Sequence, residues 1–102
     1  MRIITESWLR DMAKKFPKAV GYLATWRKVV MAARWATIVD VRKDYPKTDA
    51  VTVKSGKTVY VFNVCGNTYR MIAAIHFDKQ RVFTLRLMTH AEYDKNDWKN
   101  EL

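Results

Sequence analysis

Hydrophobic residues recur along this chain with two different periods, and the change from one to the other divides it roughly in half. Apolar Trp8, Leu9, Met12, Ala13 and Phe16 are spaced three and four apart, which puts them on one face of a helix. Thr5 is predicted to cap that helix, with Glu6 in its first turn, after a short strand over Arg2-Ile3-Ile4-Thr5. Pro17 breaks or restarts the helix. A second stripe, Ala19, Leu23, Trp26, Val30 and Ala33, predicts another helix from Lys18 to about Trp35. The pair reads as a helical hairpin whose Lys and Arg residues form a solvated face. Thr37 to Lys47 mixes β-branched with charged positions and reads as a connector with one helical turn possible. Val51 and Val53 are weakly strand-like, and Lys54-Ser55-Gly56-Lys57 has the composition of a turn.

From Thr58 the period becomes two. Thr58 to Cys65 is β-branched and aromatic, and Gly66-Asn67 is a two-residue hairpin loop with Gly first, the form that favours a type II′ turn. That loop pairs Cys65 with Thr68, Asn63 with Arg70 and Val61 with Ile72. One face then carries Tyr60, Phe62, Val64, Tyr69, Met71, Ala73 and Ile75 as core. The other carries Asn63 and Arg70 among aliphatics. For the strand Val82 to Met88, a two-residue loop at Lys79-Gln80 would set Arg86 opposite Ala73 and bury a guanidinium in the core, at high cost. An odd loop, or one with a bulge, avoids this, and the odd loop is preferred. It puts Phe83, Leu85 and Leu87 in the core and Arg86 on Arg70's face. The predicted fold class is α+β: an N-terminal helical hairpin on one face of a small antiparallel sheet, with a short C-terminal helix. Asn63, Arg70 and Arg86 are expected to line an open groove on the other face.

That last helix is announced by Thr89 followed three residues later by Glu92, a capping box. His90 and Tyr93 then share one face at the groove edge, close to a helix N-terminus that suits an anion.

Composition narrows the partners. At 102 residues, 49% hydrophobic and with three Gly and two Pro, the chain is expected to fold as one domain, residues 1–102. It has no apolar run long enough for a membrane helix, its N-terminus lacks the apolar stretch of a secretory signal, and the single Cys65 fits a reducing cytoplasm. The formal charge is +9, of which residues 1–35 supply +6 and the last twelve residues −2. Such a basic domain points to a polyanion, usually nucleic acid, or to an acidic protein.

RNA cleavage without a metal needs a group to move protons and cations to stabilise a charged phosphorane. Histidine titrates near neutrality, which suits His90 to the first task. Arg70 and Arg86 can fork onto phosphate oxygens. Tyr93 is suited to holding phosphate, assisting proton transfer or stacking on a base, and Asn63 to reading a base edge. The plain alternatives are exposed strand arginines, a surface histidine and a tyrosine that anchors the core. His76, His90 and Cys65 have no metal-ligand spacing, and no phosphate loop, nucleophile elbow or CxxC pair is present. Cys65 reads as a small packed residue, and Trp98 as an exposed or docking aromatic.

Asn63 to Phe77, NVCGNTYRMIAAIHF, followed by RVFTLRLMTHAEYDK, resembles HigB-type toxins of the RelE/ParE superfamily. The likeness extends over the whole chain: a short strand, a helical hairpin, an FNV-x-GN-x-x-R hairpin and a THAEYD end. The resemblance implies a RelE-like, microbial-RNase-like fold. It also implies a type II toxin acting as a ribosome-dependent mRNA endonuclease, or mRNA interferase, with no cofactor. Its partner would be a HigA-like helix-turn-helix antitoxin that carries the complex to operator DNA. Arg70 would match the strand arginine that contacts the scissile phosphate. His90 and Tyr93 would fall where such toxins keep catalytic or RNA-binding side chains, although RelE toxins use Lys and Arg where this chain has His90. Lys54 and Lys57 are expected to add groove charge. Two rivals stay open: a ParE-like gyrase poison and a non-enzymatic RNA- or ribosome-binding protein.

Overall fold

The computed structural model describes residues 1–102. Strand β1 is Arg2–Ile3 and helix α1 is Glu6–Lys15, with Glu6 at its positive end and Lys14 and Lys15 at its negative end. A 3-10 turn at Pro17–Ala19 leads into helix α2, Val20–Ala32. Leu9, Ala19, Leu23, Trp26 and Val30 are buried, as the two stripes require. Thr5 does not cap α1 with its side chain. Its hydroxyl instead bonds the Thr84 hydroxyl and accepts the Thr84 N–H at 2.9 Å, so that a polar residue buried under the helices is satisfied.

The expected connector is a full helix, α3, Ile38–Asp44. The Thr37 hydroxyl accepts the Val39 N–H at 3.2 Å, and the Asp40 carboxylate accepts the N–H groups of Ala36 and Thr37. Asp here does the work that Glu or Gln does in the usual capping box. Those backbone bonds are the main reason the Asp40 carboxyl titrates below the ordinary value.

Strands β2 (Asp49–Thr52), β3 (Thr58–Val64), β4 (Tyr69–His76) and β5 (Arg81–Thr89) form an antiparallel meander. The short β1 adds in parallel to β5, so the five-stranded sheet is mixed, in the order β1-β5-β4-β3-β2. The β3–β4 register is the expected one, with Asn63 opposite Arg70 and Val61 opposite Ile72. The ladder closes at Val64–Tyr69. Cys65 leaves it with a left-handed φ of 52°, followed by Gly66 at 68°, so the predicted Cys65–Thr68 pair becomes part of a longer turn.

Between β4 and β5 the chirality of the faces is set by a bulge, not by an odd loop. His76 pairs with Arg81 across a four-residue turn, and Ala73 pairs with Thr84. Ile72 then pairs with Arg86, so Leu85 is the extra residue. The slip keeps Leu87 in the core and puts Arg86 on Arg70's face, as expected. Phe83 and Leu85 do not join that core. Phe83 stands beside His76, with ring centroids 5.1 Å apart, and Leu85 packs against a second cluster.

The predicted open groove is also corrected. Helices α1 and α2 cover one face of the sheet, meeting Phe62, Val64, Met71, Ala73, Ile75, Val82 and Leu87. The opposite face carries Val53, Val59, Val61, Ile72 and Met88, too much apolar surface to leave in water. It is covered by α4 (His90–Asp94) and α5 (Asp97–Glu101), whose Trp98 is 3% exposed and centres a second core. Trp98 is therefore a core residue, not a docking aromatic. No helix is long and apolar enough to cross a membrane.

Burial leaves its mark on the phenols. It is the leading cause that raises Tyr22, Tyr60 and Tyr93 above the ordinary tyrosine value and pushes Tyr45 up to about 12. Above pH ~10 the unfolded chain loses phenolic protons that the folded chain keeps, so stability falls as pH rises from there through about 12. Urea midpoints at pH 9, 10 and 11 are expected to decline in that order. Tyrosinate absorbance of the folded protein should lag behind that of the unfolded chain. A flat midpoint over this interval would contradict the burial argument.

Candidate active site

Two rows of side chains cross the face beneath α4 and α5. Asn63, Arg70 and Met88 form one, and Asp49, Val61, Ile72 and Arg86 the next. Arg70 is only 8% exposed. One guanidinium nitrogen donates to the carbonyl of Tyr69 at 3.1 Å and the other to Oδ1 of Asn67 at 3.3 Å. The Tyr93 ring lies over it, 5.7 Å from the guanidinium carbon. None of the protein's ion pairs includes Arg70. A nearly buried cation with N–H groups to spare and no carboxylate partner is costly, and such sites concentrate where an anion is bound.

Helix α4 is brought to this cation by local chemistry. The Thr89 hydroxyl accepts the Glu92 N–H at 3.2 Å, and the Glu92 carboxylate accepts from the N–H and hydroxyl of Thr89. The His90 N–H donates to the Thr68 carbonyl at 3.3 Å, which ties the start of the helix to the β3–β4 turn. His90 is exposed, and its Nδ1 stands 3.5 Å from an Asp94 carboxylate oxygen one turn on. Its other ring nitrogen has no partner in the protein. Tyr93 is half-buried and stacked on Trp98, with ring centroids 5.3 Å apart and planes 19° apart. Trp98 returns its indole N–H to the Tyr93 carbonyl at 3.1 Å. Burial first, then Asp49 and Asp94, raise the Tyr93 phenol, while Arg70 opposes them. Tyr93 thus keeps its proton at neutral pH and acts as a hydrogen-bond donor.

Arg70 has Asn63 as its cross-strand neighbour and Tyr93 over its guanidinium, with His90 at the start of the helix that carries Tyr93, whereas Arg86 lies apart. Its guanidinium donates to the Leu85 carbonyl at 2.9 Å and lies 3.7 Å from Glu101 in α5, sharing no partner with Arg70. Lys54 and Lys57 lie at the other end of the sheet. Lys57, just before β3, is six positions from Asn63, roughly 20 Å of extended chain. Lys57 flanks an apolar hollow near Leu102, and the Lys54 N–H bonds the Lys99 carbonyl. Sequence reasoning missed Asn67, which holds Arg70 from across the turn, and Asp49, which faces Tyr93 only through the β2–β3 register. The signal available for Trp98 was the surplus of valines on the face it covers.

Comparison with known proteins identifies the family. Residues 19–96 match the family model for HigB toxins, described as the RelE-like toxic component of a toxin-antitoxin system. The mRNA interferase HigB of Escherichia coli O6:H1 is 33% identical over 95 residues, covering 93% of this chain and 90% of that protein. The mRNA interferase toxin HigB of Escherichia coli strain K12 is 31% identical over 94 residues, with 92% and 88% covered. The mRNA interferase HigB of Shigella flexneri stands at the same values.

Proposed function

The chain belongs to the HigB family of RelE-like toxins, and from that premise we propose that it is an mRNA endonuclease, one toxin domain over residues 1–102. The observation that carries the reading is Arg70, buried without a counter-ion under the Tyr93 ring. In the reaction the ribose 2′-oxygen forms a bond to phosphorus and the bond to the 5′-oxygen breaks, with no metal required. Arg70 stabilises the charge that builds on the phosphorane, a role usually worth about 10²–10³ in rate. His90 exchanges a proton with the reacting oxygens, and Tyr93 donates to the phosphate and positions the strand. Asn63 contacts a base. Lys54, Lys57 and Arg86 contribute to the basic field instead of the reacting centre.

As the toxic component of such a system, the chain has an antitoxin partner. The finer picture is a HigA-like helix-turn-helix protein, acidic enough to be steered by the exposed basic hairpin, that carries the complex to operator DNA in the cytoplasm. The substrate is mRNA held in the ribosomal A site, so that cleavage stops translation.

Mapping transcript ends after induction tests the reaction. The expected products carry a 2′,3′-cyclic phosphate and a 5′-hydroxyl, and His90→Gln lowers their yield. Ends bearing 5′-phosphate would indicate hydrolysis by another route. Intact transcripts together with DNA damage would transfer the chain to the gyrase-poison reading.

A further inference from the structure

An apolar hollow of about 490 Å³ opens at the end of the sheet away from Arg70, beyond the last turn of α5. Two local features of the sheet make it. Ala74, on the central strand β4, contributes only a methyl where its cross-strand partner is Phe83. Leu85, the extra residue of the bulge, packs onto this face and forms a wall with Val53, Val59 and Leu102. We propose that the hollow binds a free amphiphilic monocarboxylate, with its alkyl chain against Ala74 and its carboxylate at Lys57. The inference is independent of the endonuclease reading, because none of Arg70, His90, Tyr93 and Asn63 lines the hollow.

The chemistry of the lining selects that ligand. Seven of its ten residues are hydrophobic and none is acidic. Val53 and Val59 are buried, while Ala74, Phe83, Leu85 and Leu102 keep part of their surface open. Covering that surface with an alkyl chain is favourable in proportion to the area removed from water. The polar members of the lining, Lys57, Thr58 and His76, are all exposed and so stand at the rim. Lys57 belongs to no ion pair, which leaves its ammonium free to meet an anion. A lysine suits such a place because its methylenes lie along apolar surface while its charge stays in water. A nucleoside or a sugar would leave most of its polar atoms unpaired against these walls, at a cost. A bilayer fits no better, since membrane binding needs a projecting apolar face and the valines here lie in a recess.

The walls are held in place by the fold itself. The Val53 N–H donates to the Lys57 carbonyl at 2.9 Å across a turn in which Gly56 takes a φ of 86°, so the backbone fixes where Lys57 starts. The Lys54 N–H donates to the Lys99 carbonyl at 3.0 Å and ties that turn to α5. Val53 and Val59 also belong to the core that Trp98 centres, so an alkyl chain in the hollow extends that core. A preformed apolar recess with a few polar groups at its edge is the usual form of a small-molecule site.

Hexanoate, octanoate and decanoate, kept below their micelle-forming concentrations, are the probes. The methyl resonances of Val59, Ala74, Leu85 and Leu102 are expected to shift saturably with each, and affinity to rise about fourfold per added methylene. Decanol should bind roughly two- to fivefold more weakly than decanoate, the worth of one exposed ion pair. In Lys57→Gln that difference should vanish while decanol binds as before. Ala74→Leu fills the floor and should weaken decanoate on the order of tenfold, the equivalent of about two methylenes shut out. Should Ala74→Leu fail to fold, the comparison in Lys57→Gln still decides, because that side chain is exposed. Four results would overturn the site: affinity that does not grow with chain length, equal binding of decanol and decanoate by wild type, a folded Ala74→Leu protein that binds decanoate undiminished, or the same methyl shifts with phosphatidylglycerol vesicles.

Discussion

Replacing Arg70 by Met is expected to abolish growth arrest while leaving the protein as stable as wild type, or more so. The two effects have one cause. Arg70 is 8% exposed, sits in no ion pair and spends its bonds on a neighbouring carbonyl and one Asn side chain. Folding must strip water from that charge, at an effective cost on the order of several kcal/mol with little returned, so an apolar residue of similar length is expected to be neutral or stabilising there. The same charge is what a phosphorane needs, so its loss removes about 10²–10³ in cleavage rate. Arg70→Lys keeps the charge but not the planar fork, and should recover only part of the rate. Calorimetry and transcript mapping on the same three proteins separate the roles. A sharp fall in the Met variant's melting temperature would make Arg70 a structural residue, and wild-type cutting by it would remove Arg70 from the reaction.

What the sequence reveals of this site is what local rules encode. The Thr89–Glu92 capping box, the Asn63–Arg70 register and the two helical stripes each depend on residues a few positions apart, and each is found as expected. The excess residue at Leu85 is different. An odd loop and a bulge both satisfy the demand that Arg86 avoid the core, and only the assembled sheet selects between them. Helix α3 is legible only as a possible single turn because Asp40 stands where a capping box usually has Glu or Gln. The cover over Arg70 was missed for a reason of composition. Residues 91–102 carry more acids than bases and look like a solvated tail, yet one tryptophan suffices to dock them. Arg70 consequently changes from a groove arginine in water to a buried one, which strengthens the argument for an anion site.

Truncating Trp98 to Ala is expected to be the most damaging single change to the fold on this face. Its indole is 3% exposed, packs with Val53, Val59, Val61, Ile72 and Met88, stacks on Tyr93 and donates to the Tyr93 carbonyl. Removing a buried tryptophan typically costs about 3–5 kcal/mol, against about 5–15 for a whole domain. At 4–8 °C per kcal/mol for a chain near this size, the melting temperature should drop by more than ~10 °C. Trp98→Phe keeps a ring against Tyr93 and loses the N–H bond, so it should cost much less. Activity should follow Tyr93 and not global stability: at a temperature where Trp98→Ala is still folded, its cleavage is expected to be reduced because Tyr93 has lost the surface it stacks on. A folded Trp98→Ala protein that cuts mRNA like wild type would separate the tail from the site. Reduced cutting with a retained fold would instead make the second core the support on which Tyr93 is held over Arg70.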